Sequence, residues 1–243
     1  MLAHYHQTNK LNLIAATSSK SGVLSADVLA WLLAYYKLDI PVGYCIDGAL
    51  QPKQKYLELL PTLKEAFSSV SATSTKPATE ILEQALLANK KITVVMIGNS
   101  SNIAQILNSP SLNKLFHEKV EKIIWMAGEF DRAYAENNIR VDYQNSHVIF
   151  DKWQGKLELL PSNVGKKVIF PGHHLIDRQE PVAQMYNDYM KRGWGRECWD
   201  PLTILYASGT APELFKLSKL GKVTLDSNEI TEFHEQDNGN HLL

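Results

Sequence analysis

Four short apolar runs, each stopped by glycine or by hydroxyl and amide residues, constrain this chain more than any other feature. LNLIAAT (residues 11–17) runs into SSKSG, residues 40–45 are broken by Gly43, ITVVMI (92–97) runs into GNSSN, and KIIWM (122–126) runs into AGEF. Each is too short for a helix and has no polar alternate face. That pattern suits strands buried on both sides, as in parallel sheets covered by helices.

The segments between the runs have helical spacing. Val28, Leu29, Leu32, Leu33 and Tyr36 recur on one face over residues 28–38, with Ser25 placed to cap. Residues 54–70 are helical in composition but interrupted by Pro61, and Pro77 marks the start of a helix over 78–89. Further helices are expected over 103–107, 112–120, 144–153 and 181–191, with a short buried run at 168–170. Asp200 followed by Pro201 reads as a helix cap and first helical residue. Residues 222–225 and 229–233 alternate around Asp226-Ser227-Asn228, which predicts a small carboxy-terminal β-hairpin. The expected fold is α/β, a mostly parallel open sheet flanked by helices, in a single domain over residues 1–243.

Composition narrows the functional classes. A formal net charge of −1 provides no field for nucleic acid or an anionic membrane surface. No apolar stretch approaches the roughly 18 residues of a membrane span, and MLAHYHQTNK lacks the core of a signal peptide. Cys45 and Cys198 are too few and too far apart for a disulfide framework, so two buried thiols in a reducing cytoplasm are expected. The absence of a glycine-rich phosphate loop disfavours a kinase or dinucleotide enzyme.

Three polar clusters follow expected strands or open a helix: Gly98 to Asn102, the loop carrying Glu136, Asn138 and Asp142, and Trp199-Asp200. Carboxylates and amides without cysteine or paired histidines suit sugar hydroxyls, or a hard cation bound through oxygen. The same residues are turn formers, and loop polarity alone accounts for them equally well. Histidine as a residue type can donate protons near neutral pH, but His4, His6, His147, His173 and His174 read as surface or core residues. Asp47-Gly48 and Arg178 read as turn and surface features.

The succession LIAATSSK, VVMIGNSSNIAQIL, IIWMAGEF, AENNIRVD and RECWDPLTILYA, ending in GNHLL, resembles the inosine-uridine preferring nucleoside hydrolase family. The similarity runs through nearly the whole chain and is closest to a bacterial branch with Trp in place of His before the carboxy-proximal Asp. The resemblance implies hydrolysis of the N-glycosidic bond of ribonucleosides, with a bound calcium ion holding the ribose 2′- and 3′-hydroxyls and the attacking water. Asp200 matches a calcium ligand, and Ile97 matches the position whose backbone carbonyl also coordinates it. Glu136 and Asn138 match the pair that binds the ribose near its 5′-hydroxyl. Trp199 reads either as a wall for the base or as an aromatic buried against the helix start. The partner implied is a small-molecule nucleoside, and a homo-oligomer is expected.

One departure stands out. The family opens with a strand and a loop of the form D-x-D-x-G-x-D-D, which supplies two further calcium ligands and the general base. This chain has no Asp before Asp27, and Met1-Leu2-Ala3-His4 resembles the helix that follows that loop. The first strand is therefore expected to be missing, calcium to be held weakly or not at all, and hydrolysis to be impaired, with no catalytic base identified. Met1 is read either as an internal methionine of a longer protein or as the start of a remnant. The alternative function is a non-catalytic ribose-binding or assembly protein on the same fold.

Overall fold

The structure is a computed structural model describing residues 1–48 and 55–243. The first part alternates helix and strand: α1 (Leu2–Gln7), β1 (Ala16–Ser21), α2 (Leu24–Tyr35), β2 (Val42–Cys45), α3 (Leu60–Ala66), β3 (Lys76–Pro77) and α4 (Ala78–Ala88). The middle follows as β4 (Ile92–Met96), α5 (Ser101–Asn108), α6 (Pro110–Lys119), β5 (Val120–Met126), α7 (Asn137–Arg140), α8 (Tyr143–Lys152), β6 (Lys156–Leu160) and α9 (Ser162–Gly165). The chain ends with β7 (Ile169–Phe170), α10 (Pro181–Tyr189), β8 (Arg196–Glu197), α11 (Trp199–Ser208), β9 (Gly221–Leu225), β10 (Thr231–Glu235) and β11 (His241–Leu242). No helix among the described residues is long and apolar enough to cross a membrane.

The α/β class and the carboxy-terminal hairpin are as expected, but the strands do not form one sheet. The described residues build a parallel three-stranded sheet, β1-β2-β3, and a six-stranded sheet in the order β10-β9-β11-β6-β5-β4, with a small β7-β8 pair. In the larger sheet β4, β5, β6 and β11 run parallel, and β9 pairs antiparallel with both β11 and β10. β11 is thus the strand at which the sheet changes direction. Its His241 is buried and accepts a 2.8 Å hydrogen bond from the Val223 amide on Nδ1.

The main core lies on the larger sheet. Ile123, Trp125 and Leu157 pack with Phe116, Ile149, Phe150 and Trp153 of the covering helices, and the Phe116 and Trp153 rings meet edge to face at 5.2 Å. A second cluster joins Trp31 of α2, Leu60 and Leu63 of α3, and Met185 of α10. Pro61 sits in the first turn of α3, where its missing N–H loses no helical bond. Of the expected 54–70 helix, Gln54 lies outside the described residues; Lys55–Leu59 is a 3-10 turn, α3 follows to Ala66, and residues 67–70 lie beyond the helix.

Several boundaries differ from the sequence reading. β1 begins at Ala16 rather than at residue 11, because the ladder partners supplied by β2 start at Val42, opposite Ala16. α2 begins a turn earlier than expected and Ser25 does not cap it; the Ser25 hydroxyl instead meets Ser18 Oγ at 2.6 Å. The run at 168–170 is not buried: Val168 and Ile169 are exposed, since β7 pairs only with two-residue β8 at the surface. Asp200 is not a cap; Cys198 holds that position, and Asp200 falls in the first turn of α11.

β6 is absent from the sequence reading, although it lies between β5 and β11. Its sequence, KLELL, places Glu158 in the sheet interior, 1% exposed. Burial opposes that charge, but Lys156 Nζ at 2.6 Å, Lys122 Nζ at 2.9 Å and the Tyr206 hydroxyl at 3.0 Å outweigh it, and hold the carboxyl below its usual range.

Candidate functional site

β5 delivers the loop that builds the site. After Met126 the chain turns at Gly128, whose φ of +86° strains any L side chain. It then follows a loop to Glu136, which caps α7. Both Glu136 carboxylate oxygens lie 3.0 Å from the Asn138 amide, and Oε2 also accepts from Ile139 at 3.3 Å and Gly128 at 3.4 Å. Burial pushes its carboxyl up to about 6, against the pull of these backbone donors. Asn138 is held by its Nδ2, which donates to the Met126 carbonyl at 2.9 Å. The tip of β5 and the start of α7 are therefore one hydrogen-bonded unit.

The other carboxylates of this region serve the scaffold. Glu129 is buried, and Ser162 Oγ at 2.7 Å, Lys166 Nζ at 3.2 Å and the Asp131 amide overcome its burial and lower its pKa. Its backbone exchanges hydrogen bonds with the Thr231 hydroxyl, tying the loop to β10. Asp142 accepts from Ser101 Oγ at 2.7 Å and Ser100 Oγ at 3.1 Å, which fixes the start of α5.

Trp199 and Asp200 enter from α11. The Trp199 indole donates to the Ser162 carbonyl at 3.0 Å, and its ring lies so close to Gly165 that a Cβ there would clash with Cδ1. The Arg196 guanidinium stands 5.4 Å from that ring. Asp200 opens on to a cleft, yet the surrounding walls crowd it: desolvation pushes its carboxyl up to about 6, with Arg196 pulling the other way.

Glu136, Asn138, Trp199, Asp200 and Ile97 all line this one cleft of about 1580 Å³. Residues distant in sequence, from the ends of β4 and β5 and the start of α11, thus converge at carboxyl ends of parallel strands, where open α/β sheets bind ligands. Lys166, Arg196 and Tyr134 also line it and are absent from the sequence reading. Arg196 sits inside the RECWD motif and could have been read there, whereas Lys166 depends on α9, which the sequence reading does not contain. No histidine among the described residues lines the cleft.

Asp200 and Ile97 share the cleft, but they do not make a calcium cage. Among the described residues no three His, Cys, Asp or Glu side chains gather so as to hold a metal ion. One carboxylate and one carbonyl fall short of the roughly six to eight oxygens that calcium takes.

Comparison with known proteins places this geometry. No curated protein sequence matches significantly. Among solved structures, an inosine-guanosine nucleoside hydrolase superposes with a TM-score of 0.67 at 15% identity, over 100% of this chain and 82% of its own. The effector protein XOO4466 gives 0.64 at 15% identity, over 98% of this chain and 84% of its own. The type III effector XopQ, in complex with adenosine diphosphate ribose, gives 0.61 at 15% identity, over 98% and 85%. These likenesses show a shared fold. The family model for inosine-uridine preferring nucleoside hydrolases matches residues 1–237. The chain belongs to the inosine-uridine preferring nucleoside hydrolase family.

Proposed function

We propose that this chain binds ribonucleosides by their ribose in the cleft between Glu136 and Asp200, and that residues 1–243 by themselves hydrolyse the N-glycosidic bond slowly. The observation that carries the reading is the placement of Glu136 and Asn138, locked together at the tip of β5, on the same cleft as Trp199 and Asp200. The Glu136 carboxylate still has acceptor sites for a hydroxyl beyond its backbone donors. The Trp199 ring offers an apolar wall to the base. As the base departs, positive charge develops on the ribose, and Glu136 and Asp200 would stabilise it. Neither carboxylate is held by a partner that would position it to take a proton from water, so turnover is slow. Residues 1–243 act in this reading as one nucleoside hydrolase-like domain in the cytoplasm, assembled as a homo-oligomer.

The test combines titration calorimetry with inosine and uridine, an assay for released ribose, and metal analysis of the purified chain. Saturable nucleoside binding that free ribose displaces is expected, with ribose release far below the ~10 s⁻¹ of a typical enzyme and less than one calcium per chain. Absence of nucleoside binding would overturn the ribose-binding reading. Turnover at an ordinary enzymatic rate, or one tightly held calcium, would overturn the impairment.

A further inference from the structure

The guanidinium of Arg196 stands on the cleft, fixed in orientation and with no anion to meet it among the described residues. Its Cζ lies 4.8 Å from the centroid of the Tyr189 ring and 5.4 Å from that of Trp199. The Trp199 ring is itself anchored, by the Ser162 carbonyl on Nε1 and by Gly165 packed close to it. Stacking on aromatic rings uses the faces of a guanidinium and leaves its N–H groups, which lie in the plane, pointing outward. Among the described residues those donors have one partner, a weak acceptor: Nη1 meets Met190 Sδ at 3.7 Å. No carboxylate of the described residues comes within ion-pair distance, and the residue is partly buried. A partly desolvated cation with open donors is a costly arrangement until a ligand completes it.

The charge of the cleft points to what that ligand carries. The chain has a formal net charge of −1, yet the rim at the carboxyl ends of the strands carries Lys20, Arg140, Lys166 and Arg196 against Glu136 and Asp200. A further cation, Lys91, lines the cleft at the opposite end of β4. Lys166 is engaged by Glu129 at 3.2 Å, whereas Arg140 donates from Nη2 to Asn137 Oδ1 at 3.2 Å and meets no carboxylate among the described residues. A ribonucleoside is neutral and has no use for this excess. A phosphate has, because its oxygens accept two parallel N–H bonds from one guanidinium, and a cleft with an excess of one charge concentrates the opposite ion. The placement of Arg196 also decides which end of the ribose bears the phosphate. β8 runs directly into α11, so Arg196 stands at the Asp200 end of the cleft, over the Trp199 ring. Glu136 offers only acceptors when ionised and suits a free hydroxyl; a phosphate beside it would be repelled.

We propose that the Arg196 guanidinium is a phosphate subsite and that the ligand preferred by the cleft is a ribonucleoside 3′-monophosphate, with its phosphate on Arg196 and its 5′-hydroxyl on Glu136. The placement of the ribose rests on the function proposed above, to which the phosphate adds the class of ligand. Arg140 and Lys20 contribute attraction at longer range, and Arg196 contributes the paired bonds. Since Arg196 reads the phosphate and not the base, purine and pyrimidine nucleotides share the preference.

The test is titration calorimetry of the unmodified 243-residue chain with guanosine and cytidine, and with the 3′- and 5′-monophosphates of each. Both 3′-monophosphates should bind about tenfold or more tightly than their nucleosides, the worth of hydrogen bonds between charged groups. That ratio should shrink as salt is raised. The 5′-monophosphates should bind more weakly than the nucleosides. Arg196→Met keeps a stem against the two rings and removes the donors, so the ratio of 3′-monophosphate to nucleoside affinity should fall to about one. Arg196→Lys keeps the charge without the planar fork and should retain only part of the ratio. Circular dichroism checks that each variant is folded. Nucleoside binding with no gain from a 3′-phosphate, an equal gain from a 5′-phosphate, or a ratio that survives both substitutions would overturn the phosphate subsite. Failure of nucleosides and 3′-monophosphates alike to bind would overturn the ribose reading, and this inference with it.

Discussion

Glu136→Gln is expected to weaken nucleoside binding by about 10- to 100-fold, the worth of a hydrogen bond to a charged acceptor at roughly 1.5–3 kcal/mol. Glutamine keeps the length and one acceptor oxygen but replaces the other with a donor. That donor would face amides that now donate to Glu136, those of Asn138, Ile139 and Gly128. The cap of α7 should therefore weaken as well, by about 1 kcal/mol. Calorimetric affinity and thermal unfolding of the same variant separate the two effects: a fall in midpoint with unchanged affinity would leave Glu136 as a cap only. The wild-type chain should show the same dependence through pH. Because burial holds the Glu136 carboxyl at about 6, nucleoside affinity should decline as pH falls from 7.5 to 5, and Glu136→Gln should reduce that decline to the part carried by Asp200.

Trp125→Ala should cost about 3–5 kcal/mol of stability, the range for removing a large aromatic from a core. Trp125 is fully buried, contacts the Phe150 ring at 5.8 Å, and donates through Nε1 to the Gly98 carbonyl at 3.0 Å. That last bond connects the end of β5 to the turn after β4, so the residue fills the core and also aligns the two strands whose tips build the cleft. Trp125→Phe should recover much of the packing and none of the hydrogen bond. Denaturant unfolding of the two variants is the measurement, and a loss below about 1 kcal/mol for alanine would contradict the assigned packing.

The parts of this fold that read directly from the chain are those whose neighbours in space are implied by local pattern. β4 and β5 are continuous apolar runs ending at Gly98 and at Ala127-Gly128, and α4 and α8 have a clean helical stripe. β6 is not legible in that way. Glu158 breaks its apolar run, and the partners that neutralise it, Lys122 and Tyr206, come from 36 and 48 residues away. The site shows the same division. Resemblance carries Glu136, Asn138, Trp199, Asp200 and Ile97, and these do share a cleft. By contrast, polarity alone does not separate Glu136 from Glu129 or Asp142. Only the packing shows that Glu129 is held by Ser162 and Lys166, and Asp142 by Ser100 and Ser101.

His241, on the strand where the sheet reverses direction, opposes the raised carboxyls of Glu136 and Asp200 in the fold's response to acid. Desolvation lowers its pKa from 6.5 to about 4, so the unfolded chain binds a proton there that the native chain refuses, and stability is lost as pH falls through that interval, by about 3 kcal/mol at most. Glu136 works the other way. Its carboxyl is raised from 4.5 to about 6, so between those values the native chain holds more proton than the unfolded one, and acidification adds back about 2 kcal/mol. Between pH 4.5 and 6 the two slopes largely cancel, and the midpoint of unfolding should change little there on their account. His241→Asn removes one arm of the balance: its stability should rise on acidification from pH 6 to 4.5, measured relative to the unmodified chain. His241 and Glu136, placed far apart in the sequence, thereby act in opposite senses on stability as pH falls.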